Sequence, residues 1–213
     1  VILNGPHRSP SSGGEPSSLV VLLHGVGSNG ADLIGLADVL AERFPDTVFH
    51  SPNAPNPYDG AHFGYQWYSR GTSEARIEGL RLVESAVNGF LEELLALYHL
   101  PATKCILVGF SQGSMVSLHV APRRSTRLGG IVAFSGTIAT ADSLKNEIAS
   151  KTPICLIHGD SDSVIPSERS ESAAKLLTEL GVPNEVHILR GLGHSIDRRG
   201  LDHATRFMQE VLA

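Results

Sequence analysis

Ser111 stands between two glycines, in Gly109-Phe110-Ser111-Gln112-Gly113, directly after the apolar run Cys105-Ile106-Leu107-Val108. That arrangement leaves the backbone few options. A strand must end and a helix begin within a turn so tight that a Cβ at either glycine would strike neighbouring backbone. Such a turn strains the serine, points its hydroxyl outward and leaves the next backbone N–H free to meet an oxyanion. Two further polar turns follow strands in the same way. His158-Gly159-Asp160-Ser161-Asp162 follows Ile154-Cys155-Leu156-Ile157, and Gly191-Leu192-Gly193-His194-Ser195 follows the alternating stretch Glu185 to Leu189. In an open parallel sheet the carboxyl ends of the strands face one crevice, so these distant turns are expected to converge there.

The rest of the chain fits that sheet. Leu19 to Leu23 reads as a buried strand ending at His24-Gly25, and Thr47 to His50 as a short one. Gly130 to Phe134 is a further strand. Helical spacing of apolar residues runs from Asp32 to Phe44, from Glu74 to Tyr98 (Ile77, Leu80, Val83, Val87, Phe90, Leu91, Leu94, Leu97) and from Leu201 to Leu212. A helix also follows Ser111, and Ser167 to Leu180 forms another, stopped by Gly181. Residues 4–18 read as a loop, 51–71 as a long loop, and 135–152 as a loop with a short helix. Strands alternate with helices throughout, which predicts an α/β fold with a mostly parallel sheet covered on both faces. No repeat or linker divides the chain, so residues 1–213 are expected to form one domain.

Composition narrows the function classes. Lys plus Arg number 17 and Asp plus Glu 22, a net charge of −5, and no basic block suggests nucleic acid as a partner. The densest basic cluster, Arg123-Arg124 with Arg127, reads as a solvated helix end. No stretch approaches the roughly 20 apolar residues that span a bilayer, so stable membrane insertion is not expected. The first residues lack the charged start and apolar centre of a signal peptide. Cys105 and Cys155 both fall in core strands, where a buried thiol is the ordinary reading, and a reduced, cytoplasmic setting is expected.

The three polar turns supply the parts of a nucleophilic mechanism. A serine hydroxyl is hardly ionised near neutrality and needs a base and a group that orients the base. His194 is the candidate base among ten histidines, because glycines flank its turn and a strand precedes it. An unperturbed imidazole titrates near pH ~6.5, so it both takes and returns a proton. His24 and His158 also follow strands, but each precedes a glycine and is expected to shape a turn. Asp160 and Asp162 both sit where the orienting carboxylate belongs, and spacing leaves the choice between them open; Asp160 also suits bonding within its own turn. One oxyanion donor is the N–H of Gln112. The second comes from the turn His24-Gly25-Val26-Gly27, with Val26 the candidate. No histidine pair has zinc-ligand spacing, and no metal or organic cofactor is expected. Gly25-Val26-Gly27-Ser28-Asn29-Gly30 is a literal G-x-G-x-x-G, the pattern of a nicotinamide-dependent enzyme, but the second strand ends at His50-Ser51 without the acidic residue that would hold a ribose.

Seven segments in order resemble the phospholipase/carboxylesterase family of α/β-hydrolases, which includes acyl-protein thioesterases and small bacterial carboxylesterases. They are Leu23-His24-Gly25-Val26-Gly27, Ser51-Pro52-Asn53-Ala54-Pro55, Gln66-Trp67-Tyr68, the Ser111 turn, Phe134-Ser135-Gly136, the 158–162 turn with Val164 to Pro166, and Gly193-His194. The resemblance implies Asp162 as the third triad member and Val26 and Gln112 as the oxyanion donors. It also implies no separate lid, a serine carboxylesterase activity, and leaves a homodimer open. An acyl-protein thioesterase or lysophospholipase would use the same machinery; a catalytically silent binding protein of the same fold is a more distant alternative. The 51–71 loop carries Tyr58, Phe63, Tyr65, Trp67 and Tyr68. Phe63, Tyr65, Trp67 and Tyr68 are expected to line a site for modest-sized, uncharged or lipid-like acyl esters, though Trp67 would equally anchor the loop. Two positions depart from the family pattern: Tyr68-Ser69 replaces an acidic residue or Phe-Asp pair after the tryptophan, and Ser195 replaces Gly or Glu after the histidine.

Overall fold

The computed structural model describes residues 2–213. Its main sheet has seven strands: β1 (His7–Arg8), β2 (Ser18–Leu23), β3 (Thr47–His50), β6 (Cys105–Phe110), β7 (Gly130–Phe134), β8 (Ile154–Gly159) and β9 (Asn184–Leu189). They lie in the order β1-β3-β2-β6-β7-β8-β9, all parallel except β1, which pairs antiparallel with β3. A separate two-stranded hairpin joins β4 (Asn56–Pro57) to β5 (Tyr65–Gln66). The helices are α1 (Gly30–Leu33), α2 (Gly35–Leu40), α3 (Ser73–Leu97), α4 (Gln112–Arg123), α5 (Ala141–Glu147), α6 (Glu168–Glu179) and α7 (Arg198–Leu212).

Alternation along each strand divides the core into two layers. Leu19, Val21, Leu23, Leu107, Ala133 and Leu156 pack under Leu80, Val87 and Leu91 of α3, Val116 of α4 and Leu177 of α6. Val20, Leu22, Ile106, Val108, Val132 and Ile157 face the other way, toward Ile34, Ala37 and Leu40 and toward Ala204, Phe207 and Met208 of α7. Because both faces are covered there, the central strands β2, β6, β7 and β8 read as apolar runs rather than as polar–apolar alternation.

Several expectations change. Residues 4–18 contain β1, whose two-residue pairing with β3 leaves no periodic signal. The single helix expected over 32–44 is two short helices that meet at Ile34 and end at Leu40. The 51–71 loop contains the β4–β5 hairpin. α7 starts at Arg198, three residues early, because the Asp197 carboxylate caps it by accepting from the Gly200 N–H at 2.9 Å. Arg123 and Arg124 are not a solvated helix end. Their side chains are 6 % exposed and tie α4 to its neighbours, Arg123 to Glu147 at 2.6 Å and Arg124 to Glu92 at 2.5 Å. No helix among the described residues is long and apolar enough to cross a membrane. Both cysteines are free and buried, and burial pushes the Cys105 thiol up to about 12.

Candidate active site

The strand order reverses direction between β2 and β6: β3 lies on one side of β2 and the later strands follow on the other. A crevice opens at the carboxyl ends of the strands at such a point. The turn after β2 brings Val26 there, and the turn after β6 brings Ser111. Ser111 adopts φ 52° and ψ −113°, a left-handed conformation costly for a residue with a side chain. Its N–H bonds the Phe134 carbonyl at 2.9 Å, which fixes the turn against β7. The flanking glycines are required. A Cβ on Gly109 would lie 2.5 Å from the Ser114 nitrogen, and one on Gly113 would lie 1.9 Å from the Leu23 oxygen. α4 thus starts against the end of β2, with no room for a side chain between.

Ser111 Oγ lies 3.0 Å from His194 Nε2, and His194 Nδ1 lies 2.7 Å from Asp162 Oδ2. The Asp162 side chain is inaccessible to solvent, whereas the His194 ring is 18 % exposed. Oδ1 of Asp162 accepts from the Val164 and Ile165 N–H groups at 2.8 and 2.9 Å. Burial alone would raise the Asp162 pKa, but bonds from Ile165, His194 and Val164 outweigh it and hold the carboxyl below its usual range. Asp160 points elsewhere. It accepts from the Gly191 N–H at 2.7 Å and from the Ser161 hydroxyl at 2.8 Å, tying the aspartate turn to the histidine turn rather than bonding only within its own.

The Val26 and Gln112 N–H groups have no backbone acceptor among the described residues, and both residues line the cleft beside Ser111. The Val26 turn is held from behind. Gly27 N–H donates to the Tyr65 carbonyl at 2.8 Å, and Tyr65 N–H returns a bond of 2.8 Å to Ser28. His24 Nδ1–H donates to the Gly25 carbonyl at 2.7 Å, leaving Nε2 to accept from the Ala54 N–H at 3.0 Å. This pairing needs a neutral ring, and burial lowers the His24 pKa accordingly. The glycines of the G-x-G-x-x-G segment serve packing here. A Cβ on Gly30 would fall 1.9 Å from the Ser51 oxygen, and the Gly30 N–H is already bonded to Asn53 at 2.9 Å.

Of the four aromatics expected in the substrate wall, only Tyr68 lines the cleft, a space of about 590 Å³ that also holds Ser111. Trp67 is 1 % exposed and acts as an anchor: its indole N–H donates to the His24 carbonyl at 2.8 Å. Phe63 and Tyr65, 76 % and 36 % exposed, stand outside the cleft because the hairpin engages the Val26 turn through its backbone. The apolar lining comes instead from Ile77 and Leu80 of α3, Met115 of α4, Ile138, Val164 and Ile165. The sequence periodicity assigns Ile77 and Leu80 to the buried face of a helix, and nothing in it separates core from cleft. The Gln112 side chain is also used: Oε1 accepts from the Trp67 N–H and Nε2 donates to the Tyr68 carbonyl, both at 2.8 Å. Among the described residues, Cys155, Glu185 and His187 bring potential metal ligands within 4.8 Å of one another. They sit toward the amino ends of β8 and β9, at the opposite end of the sheet from Ser111.

Comparison with known proteins agrees with this fold. The sequence model of the Phospholipase/Carboxylesterase family matches residues 9–212. An acyl-protein thioesterase 1 homolog of Dictyostelium discoideum is 30% identical over 210 residues, covering 92% of this chain and 91% of the relative. Esterase YpfH of Escherichia coli is 30% identical over 190 residues, covering 87% and 79%. The crystal structure of esterase PE8 superposes with a TM-score of 0.94 at 45% identity, covering 99% of this chain and 100% of that one. The chain therefore belongs to the phospholipase/carboxylesterase family of hydrolases and has its α/β-hydrolase fold.

Proposed function

We propose that this protein is a serine carboxylesterase that hydrolyses small or lipid-like acyl esters through an acyl-enzyme, as one domain over residues 1–213 without a separate lid. The unbroken chain from Ser111 Oγ to His194 to Asp162, at 3.0 and 2.7 Å, carries the reading. Ser111 attacks the ester carbonyl while His194 Nε2 takes its proton. The tetrahedral oxyanion that forms accepts from the Val26 and Gln112 N–H groups, and loss of one such donor costs about 10²–10³ in rate. His194 then protonates the departing alcohol. Water, activated by the same imidazole, attacks the acyl-enzyme and releases the acid and the free serine. Asp162 holds the imidazole tautomer and stabilises its charged form. Between β7 and β8 only α5 intervenes, which supports an open cleft.

The name of the Dictyostelium relative favours thioesters as a second substrate class for the same machinery. A panel of oxygen esters and thioesters with one acyl chain separates the two. The first test is labelling with a fluorophosphonate and mass spectrometry of the adduct. Rapid modification at Ser111 alone, lost in Ser111→Ala and strongly slowed in His194→Ala, is the expected result. A folded wild type that stays unlabelled overturns the reading.

A further inference from the structure

We infer that the cleft selects esters bearing a negative charge away from the reacting carbonyl, on the acyl chain or on the alcohol. The inference rests on the esterase reading above and revises the sequence-based expectation of uncharged substrates. The chain is acidic overall, with 22 Asp and Glu against 17 Lys and Arg. Around Ser111 the balance reverses. Among the described residues no carboxylate lines the cleft, and three arginines do: Arg70, Arg76 and Arg169. Glu74, Glu78, Glu168 and Glu171, the carboxylates next to them in sequence, are absent from that lining.

Eight of the thirteen arginines make no ion pair among the described residues, and three of those eight line this cleft. Arg8, Arg81, Arg123, Arg124 and Arg199 each pair with a carboxylate. Among the described residues, Arg70, Arg76 and Arg169 make no ion pair with one. Arg76 Nε donates to the Gly71 carbonyl at 3.2 Å, which orients the group and leaves its terminal nitrogens for another acceptor. The three come from separated stretches: Arg70 precedes α3, Arg76 lies in its first turns, and Arg169 is the second residue of α6. A guanidinium presents a planar fork of donors suited to a carboxylate or phosphate. A cleft with charge of one sign above apolar walls also concentrates the opposite charge. Ile77, Leu80, Met115 and Ile138 line the same cleft and offer a hydrocarbon stem its place. The recognised substrate is therefore amphipathic: an apolar stretch next to the ester and an anion beyond it.

Four nitrophenyl esters test this. One has a neutral five-carbon acyl chain, one the glutaryl hemiester chain ending in a carboxylate, one an acyl chain ending in trimethylammonium. The fourth joins the neutral chain to a carboxylated nitrophenol. Each is assayed with the wild type, with Arg70→Gln, Arg76→Gln and Arg169→Gln, and with the triple variant. Intrinsic reactivity cancels when each variant is divided by wild type. The ratio of anionic to neutral kcat/KM is expected to fall about two- to fivefold per arginine removed, with the cationic ester moving the other way. High salt is expected to shrink the wild-type ratio. Which anionic ester responds identifies the end of the substrate that the arginines read. Equal losses on neutral and anionic esters, or none, overturn the inference while leaving the esterase standing. Calorimetry with Ser111→Ala separates recognition from chemistry: monomethyl adipate is expected to bind tighter than dimethyl adipate, and the triple variant to lose the difference. A protein that binds the monoester this way yet turns over no ester overturns the esterase reading and keeps the anion site.

Discussion

The position of Asp162 shows how much of the candidate site depends on one carboxylate. It receives four bonds, two from backbone N–H groups and two from imidazoles, since His158 Nε2 lies 3.1 Å from Oδ2 as well as 2.9 Å from the Ile165 carbonyl. Both neighbours of that nitrogen are acceptors, so it must carry a proton, and His158 clamps the carboxylate at Oδ2, the same oxygen that accepts from His194. His158→Leu leaves Asp162 and Ile165 each without this donor; kcat is expected to fall about ten- to a hundredfold through misplacement of His194. His158→Gln keeps an N–H in reach and is expected to recover much of that loss. Equal kcat for both variants, with unchanged circular dichroism, would count against the clamp. Serine, aspartate and histidine turns were legible in the sequence because glycines and strand ends mark them. The work of His158 was not. It depends on a turn folding back to Ile165 and on Ser170 of α6, 2.7 Å from Nδ1, which no local pattern announces.

Among elements, the strands are the most legible part, because unbroken runs such as Leu19 to Leu23 are what a sheet buried on both sides requires. The 51–71 segment is the least legible. Its hairpin has two residues per strand and is stabilised by partners distant in sequence, so aromatic content alone misplaced Phe63, Tyr65 and Trp67 relative to the cleft. Its attachment to α4 runs through the Gln112 side chain and through the Tyr68 hydroxyl, which donates to Met115 Sδ at 3.0 Å. Gln112→Leu removes the partners of the buried Trp67 N–H and Tyr68 carbonyl, each costing about 1–3 kcal/mol when left unpaired. The variant is expected to unfold at lower urea by a few kcal/mol in total. Its esterase activity should also drop, although the Gln112 backbone N–H is untouched. An unchanged urea midpoint would show that the Gln112 side chain is not needed to hold the loop.

Two imidazoles that take no part in the site, the half-buried His50 and the buried His119, shape the response of the whole molecule to acid. Burial lowers His50, with His7 beside it adding to the effect, to about 4; burial and Arg123 lower His119 likewise to about 4. Unfolded histidine titrates near ~6.5. As pH falls from about 6.5 toward 4 the unfolded chain takes up protons that the native chain refuses, so stability is full above that window and declines through it. Glu84, 3.1 Å from His119 and raised by burial, acts with the opposite sign, so His50 gives the cleaner test. His50→Gln is expected to flatten the fall of Tm between pH 6.5 and 4; an unaltered slope would remove His50 from the account. Both borders of the sheet also limit what can attach to it. β1 offers only two residues, and β9 carries Glu185 and His187, 3.1 Å apart, on its last row. A short border and a charged one both resist the addition of foreign strands. Any assembly of copies of this protein is therefore expected to form through its helical faces, leaving the sheet as a closed scaffold.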